Sequence, residues 1–113
     1  MVLAACGGGS GGGNPLQPPP GPAVMAATIT IVDNSFGPQS VLLSAGGTVT
    51  WMWSPANVQP HNVRFSSGPA PLPVGSPATQ VTGSNYDATF TQVGTYEFVC
   101  SVHQGMQGAV FVE

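Results

Sequence analysis

Apolar and polar positions alternate with a period of two in short runs, and Gly and Pro separate one run from the next. In residues 27–32, Ile29 and Ile31 fall on one face and Thr28 and Thr30 on the other. Residues 41–43 follow the turn signal Ser35-Phe36-Gly37-Pro38. Residues 48–53 set Val49, Trp51 and Trp53 on one side, after Ala45-Gly46-Gly47. The runs 61–65, 86–90, 95–100 and 109–112 have the same β-branched and aromatic character. No helical periodicity survives the Gly and Pro interruptions. Short strands separated by turns predict an all-β domain, a Greek-key antiparallel sandwich or barrel.

One segment fits this pattern poorly. Residues 66–84 hold Pro69, Pro71, Pro73 and Pro77 with Gly68, Gly75 and Gly83. A structureless loop of that length is uncommon in a compact domain, so a short edge strand is expected at 78–81, with extended coil before it.

Composition divides the chain in two. Residues 1–25 contain Gly7-Gly8-Gly9-Ser10-Gly11-Gly12-Gly13 and then Pro18-Pro19-Pro20-Gly21-Pro22, with almost no side chain to bury. They read as a tether, flexible in its Gly half and stiffer in its Pro half, reaching about 25 Å over roughly 18 residues. Residues 26–113 are the folded unit. Cys100 is its only cysteine, so no internal disulfide can form.

At the start of the tether, Leu3-Ala4-Ala5-Cys6 resembles a bacterial lipobox, whose cysteine is lipidated after signal cleavage. A complete signal needs a basic region and roughly 7–15 apolar residues, more than the segment before Cys6 supplies. Either Cys6 is a lipid anchor or it is an ordinary free thiol. No stretch is long and apolar enough for a transmembrane helix.

Charge is nearly absent. Asp33, Asp87, Glu97, Glu113 and Arg64 make up the charged set, with a formal net charge of −3. One basic residue excludes the usual electrostatic footprint of a nucleic-acid binder. Long-range steering toward a partner is weak as well, so docking is expected to rely on apolar contact.

The chemistry lies near the C-terminus. Cys100-Ser101-Val102-His103-Gln104-Gly105-Met106 places a thiol, an imidazole and a thioether at Cys-x-x-His-x-x-Met spacing, directly after a strand-like run. The other histidine, His61, sits in Pro60-His61-Asn62-Val63. Two imidazoles, one thiolate and a weak thioether are the donor set of a mononuclear blue-copper electron-transfer site. Period-two alternation turns Cys100 inward with Tyr96 and Phe98, and His61 inward with Val63 and Phe65. Glu97, Asn62 and Arg64 are expected on the outward side. Asn62 carries an amide expected to hydrogen-bond into the Cys100 loop, which would hold the ligands in place. Trp51 and Trp53 are read as core aromatics and Arg64 as a solvated surface charge.

The motifs resemble those of cupredoxins of the plastocyanin and amicyanin group. Pro60-His61-Asn62-Val63 is similar to the upstream ligand motif, and Tyr96-Glu97-Phe98-Val99-Cys100-Ser101-Val102-His103 to the C-terminal ligand run. Gly108-Ala109-Val110-Phe111-Val112 and Ser35-Phe36-Gly37-Pro38 with Gly47-Thr48-Val49-Thr50-Trp51 also fit. The resemblance implies a cupredoxin-like sandwich with one type 1 copper per chain. It makes His61, Cys100 and His103 the equatorial ligands and Met106 the axial one. Two residues between His103 and Met106 match amicyanins rather than plastocyanins, which usually have four. Val102 departs from the proline these families tend to carry near the loop histidine.

A binuclear centre would need two cysteines in the loop, and a multicopper oxidase several histidine pairs. Structural zinc normally takes four strong donors, whereas the methionine favours a softer ion. The rival reading is a copper carrier without a redox role, which would display extra exposed Met or His. The expected protein is a monomeric electron carrier and not an enzyme. It would be extracytoplasmic, in the periplasm, and tethered to the membrane through lipidated Cys6. Its redox donor and acceptor would dock on an apolar rim around His103 formed by Pro55, Ala56, Pro60, Val102, Gly105 and Met106.

Overall fold

A computed structural model of the chain describes residues 16–76 and 79–113. The lipobox at Cys6 and the glycine half of the tether lie outside the described residues, as does Ala78 of the expected edge strand. Among the described residues there are seven strands and no helix. These are β1 (Val24–Val32), β2 (Ser35–Gly37), β3 (Ser40–Trp53), β4 (Arg64–Ser67), β5 (Tyr86–Phe90), β6 (Gly94–Val99) and β7 (Gln107–Val112). No helix of the described residues is long and apolar enough to cross a membrane.

Hydrogen bonding runs in the order β2-β1-β3-β7-β6-β4, with β5 on β3. The long strand β3 joins the two layers. Its first half pairs with β7, Val41 opposite Val110. Its second half pairs with β1, Ile29 opposite Trp51, and with β5, Val49 opposite Ala88. The break expected at Ala45-Gly46-Gly47 is therefore a bend inside one strand. Gly46 adopts a φ of 92° there. A Cβ on Gly47 would lie 2.8 Å from both the Leu43 side chain and the Met25 carbonyl oxygen, so the bend needs glycine.

The Greek-key sandwich is present, with two of its pairings, β1 with β3 and β3 with β7, parallel rather than antiparallel. Its core is aromatic. The Trp51 ring meets Phe98 at 5.2 Å and Phe65 at 5.9 Å, both edge-on, and Phe36 meets Phe98 at 4.8 Å. Alternation is faithful on β6, where Tyr96 and Phe98 are buried and Thr95 and Glu97 exposed.

Three segments differ from expectation. Ser35-Phe36-Gly37 is not a turn but the strand β2, paired with β1 through the tight turn Asp33-Asn34. Asn34 takes a φ of 73°, a left-handed conformation that asparagine tolerates. Strand β4 begins at Arg64 rather than 61, because its ladder to β6 ends where Arg64 faces Val99. Beyond that point His61 instead forms a single antiparallel bridge with Gln80, which is what remains of the edge strand expected at 78–81.

At the N-terminal end β1 starts at Val24, ahead of the expected boundary. The proline half of the tether lies against the domain. Ser40 Oγ donates to the Gln17 carbonyl at 2.7 Å, and Pro18-Pro19-Pro20 line a groove with Leu42, Phe111 and Val112.

Candidate metal centre

The end of β6 brings Cys100 to one end of the sandwich, inward-facing with Tyr96 and Phe98. Its Sγ lies 3.9 Å from His61 Nδ1 and 3.7 Å from His103 Nδ1. The three donor atoms lie within 4.8 Å of one another. The two imidazoles are 4.8 Å apart at 42°. His61 is fully buried at 0% exposure and Cys100 at 3%, whereas His103 is half-buried.

His61 is held from both sides by its backbone. Its N–H donates to the Gln80 carbonyl at 2.9 Å, and its own carbonyl accepts from Gln80 N–H at 3.0 Å. The same carbonyl accepts the indole N–H of Trp53 at 3.0 Å. Trp53 thus braces the upstream histidine besides filling the core. Two residues on, Val63 N–H donates to Ser76 Oγ at 2.9 Å.

The candidate downstream donors share one loop. Cys100 N–H donates to the Met106 carbonyl at 2.9 Å and closes it, with Gly105 at a φ of 80°. Met106 is 2% exposed and belongs to the same buried cluster as Cys100. Its side chain is therefore interior, and it does not contribute to the apolar rim as expected.

Asn62 also departs from the alternation. It is buried, at 2% exposure, rather than outward-facing. Its Nδ2 donates to Ser101 Oγ and its Oδ1 accepts Ser101 N–H, both at 2.8 Å. The amide does bond into the Cys100 loop, as its position beside His61 implied.

Two contributors were not singled out from the sequence. Asp33, at the β1–β2 turn, places Oδ1 2.9 Å from His61 Nε2. It also accepts Gln59 N–H on Oδ1 and Val58 N–H on Oδ2, each at 3.1 Å. The hydrogen bond from His61, then that from Val58, holds the Asp33 carboxyl below its ordinary value of 3.8. Gln59 Oε1 in turn lies 2.8 Å from His103 Nε2. Both imidazoles therefore turn Nδ1 toward the sulfur and Nε2 toward an acceptor. The sequence signal was slight: Asp33 is one of four acidic residues in a chain almost without charge.

A metal fits this group. Donors about 2.0 Å (nitrogen) and about 2.3 Å (sulfur) from a shared ion, set at about 120°, stand about 3.7 Å apart. The observed separations of 3.7 and 3.9 Å match that spacing. One thiolate with two imidazoles suits copper, and the loop that Cys100 and His103 share carries the buried Met106.

The family described as copper binding proteins, plastocyanin/azurin family, matches residues 23–113. The chain belongs to that family. It is 36% identical over 86 residues to amicyanin-alpha of Methylorubrum extorquens, covering 75% of this chain and 70% of that protein. Plastocyanin of Scenedesmus fuscus is 35% identical over 86 residues, covering 69% of this chain and 86% of that protein. The crystal structure of amicyanin from Paracoccus versutus superposes with a TM-score of 0.66 at 31% identity, covering 78% of this chain and 81% of that one. The cupredoxin resemblance, the β-sandwich and the single copper read from the sequence all stand. The function is electron transfer at a type 1 copper site, and His61, Cys100 and His103 are a ligand group suited to it.

Proposed function

We propose that His61, Cys100 and His103 bind copper equatorially, that Met106 is the axial donor, and that electrons enter and leave by the His103 edge. The carrying observation is the single sulfur flanked by two Nδ1 atoms at 3.7 and 3.9 Å. Bound copper supplies the one-electron couple between Cu(I) and Cu(II), and the protein's part is to hold one geometry tolerable to both. Strand β6, the Gln80 bridge and the closed Cys100–Met106 loop do this from opposite sides.

Three of the four donors are sealed off, with His61, Cys100 and Met106 at 0%, 3% and 2% exposure. This burial favours an electron carrier over an enzyme that takes a substrate at the metal. His103 alone approaches the surface. Around it Val58 is 77% and Val102 48% exposed, and Ala56, Pro60 and Gly105 are exposed as well. This weakly charged rim suits transient apolar docking of a redox donor and acceptor. The protein acts as a monomer outside the cytoplasm, in the periplasm, tethered to the membrane through a lipidated Cys6.

Adding Cu(II) to the purified chain is expected to give an intense visible thiolate-to-copper band. Colour that survives Cys100→Ser, or no colour in the intact chain, overturns the assignment. Self-exchange with retained copper supports electron transfer, whereas ready loss of copper to a chelator supports the rival metal carrier.

A further inference from the structure

The turn Asp33-Asn34 aims a carboxylate at the back of the upstream imidazole. Asp33 Oδ1 is 2.9 Å from Nε2 of His61, the atom facing away from Cys100. His61 is 0% exposed, so bulk water cannot serve that nitrogen, and a buried polar atom needs a partner. An ionised carboxylate only accepts hydrogen bonds. Its partner Nε2 must then carry the proton, which leaves the lone pair on Nδ1, 3.9 Å from the sulfur.

The same carboxylate reaches the second imidazole indirectly. It accepts the N–H groups of Val58 and Gln59 at 3.1 Å each, which fixes the segment carrying the Gln59 side chain. Gln59 Oε1 then accepts from His103 Nε2 at 2.8 Å. One acidic side chain thereby orders the acceptors behind both histidines.

We propose that Asp33 is the positioning residue of the copper centre. It selects the Nε2–H tautomer of His61, and its negative charge favours Cu(II) over Cu(I), lowering the reduction potential. The second effect follows because a carboxylate partner raises the basicity of an imidazole ligand and stabilises the more highly charged ion. This rests on the copper reading above.

The test uses the full-length chain and the variants Asp33→Asn, Asp33→Ala and Asp87→Asn. Asp87 is exposed on β5 and removes the same charge away from the centre. In the metal-free wild type, nitrogen-15 NMR of the imidazoles is expected to show His61 as the Nε2–H tautomer. Asp33→Ala should give mixed tautomers and a Cu(II) affinity lower by about 10–100-fold. Asp33→Asn keeps an acceptor oxygen but loses the charge, so its potential should rise, while Asp87→Asn stays at the wild-type potential.

A role limited to bracing the Val58-Gln59 backbone would lower the stability of Asp33→Ala without moving the potential of Asp33→Asn. Wild-type potential in Asp33→Asn, or wild-type tautomers in Asp33→Ala, overturns the proposal. Should Asp33→Ala fail to fold, the comparison of Asp33→Asn with Asp87→Asn decides. A wild type that never turns blue refutes the copper reading instead, and the metal-free tautomers of wild type and Asp33→Asn still test the contact with His61.

Discussion

Asn62 and Ser101 exchange two hydrogen bonds of 2.8 Å across 39 residues of sequence. Each follows a metal-site donor directly, Asn62 after His61 and Ser101 after Cys100. The backbone ladder between β4 and β6 ends at Arg64 and Val99, and past it the chain turns into the ligand loop. The primary amide, with an acceptor and a donor, replaces the missing backbone pair. It ties the upstream donor segment to the Cys100 loop, beside the contact of Gln59 with His103.

Asn62→Ala should therefore loosen the centre as well as the fold. It removes both bonds to Ser101 and a third, at 3.1 Å, to Thr79 Oγ1. At typical net values per bond the loss of three is about 1.5–4.5 kcal/mol, read from urea unfolding of the metal-free protein. The thiolate-to-copper band should also move and copper should dissociate faster. A variant with wild-type stability and spectrum would show that the link is dispensable.

Gly108 is a second point where the site depends on a close approach. It faces Phe98 across the β6–β7 ladder, and a Cβ there would collide with the Phe98 ring and the Gln39 carbonyl. Phe98 cannot swing clear, since Phe36, Trp51 and Phe65 all touch its ring. Gly108→Ala is expected to cost about 1–3 kcal/mol by overpacking. The strain falls two residues from Cys100, so the copper band should broaden. Unchanged thermal unfolding would contradict this account.

The candidate donors were legible because three of them, Cys100, His103 and Met106, lie within seven residues of one another, and local spacing is what a sequence displays directly. His61 was legible through its flanking Pro60 and Asn62. Strand β5 matches its expected span because strict alternation and clear turn signals bound it. Asp33 was not legible as a partner of His61. Its approach depends on the β1–β2 hairpin, and the sequence of Ser35-Phe36-Gly37-Pro38 reads as a turn. The burial of Asn62 was missed for a related reason: residues 61–63 lie outside any strand, so period-two alternation does not apply to them. The merger of two expected strands into β3 was hidden because Gly46 and Gly47 signal a break and produce a bend.

Tyr86 gives the protein a predicted alkaline limit. Its hydroxyl is half-buried under the 69–76 segment, accepts Gly75 N–H at 3.1 Å, and has its pKa raised above 10.0 by desolvation. The neutral phenol is thus favoured in the folded state. This contribution is complete below the unfolded value near 10 and is lost as pH rises through the higher folded value. The stability advantage of wild type over Tyr86→Phe, from urea midpoints of the metal-free proteins, should be flat up to about pH 9 and shrink above about pH 10. An advantage that grows with alkaline pH would contradict the sign.

Trp51 and Trp53 share a face of β3 but should respond differently to replacement. Trp53 Nε1 donates to the His61 carbonyl at 3.0 Å, whereas Trp51 Nε1 is buried without a partner among the described residues. Trp53→Phe removes a bond worth about 0.5–1.5 kcal/mol and releases one restraint on the upstream histidine. The Gln80 N–H still holds the same carbonyl, so the domain should fold, with an altered copper spectrum and faster copper loss. Trp51→Phe vacates core volume but also removes an unsatisfied donor whose burial costs about 1–3 kcal/mol. The two terms partly offset, so its effect should be confined to stability, with the visible band unchanged. Spectra of the two variants, recorded beside their unfolding curves, check the contrast. A shifted band in Trp51→Phe with a wild-type band in Trp53→Phe would mean that the indole nearest the aromatic core, and not the one bonded to His61, sets the geometry of the centre.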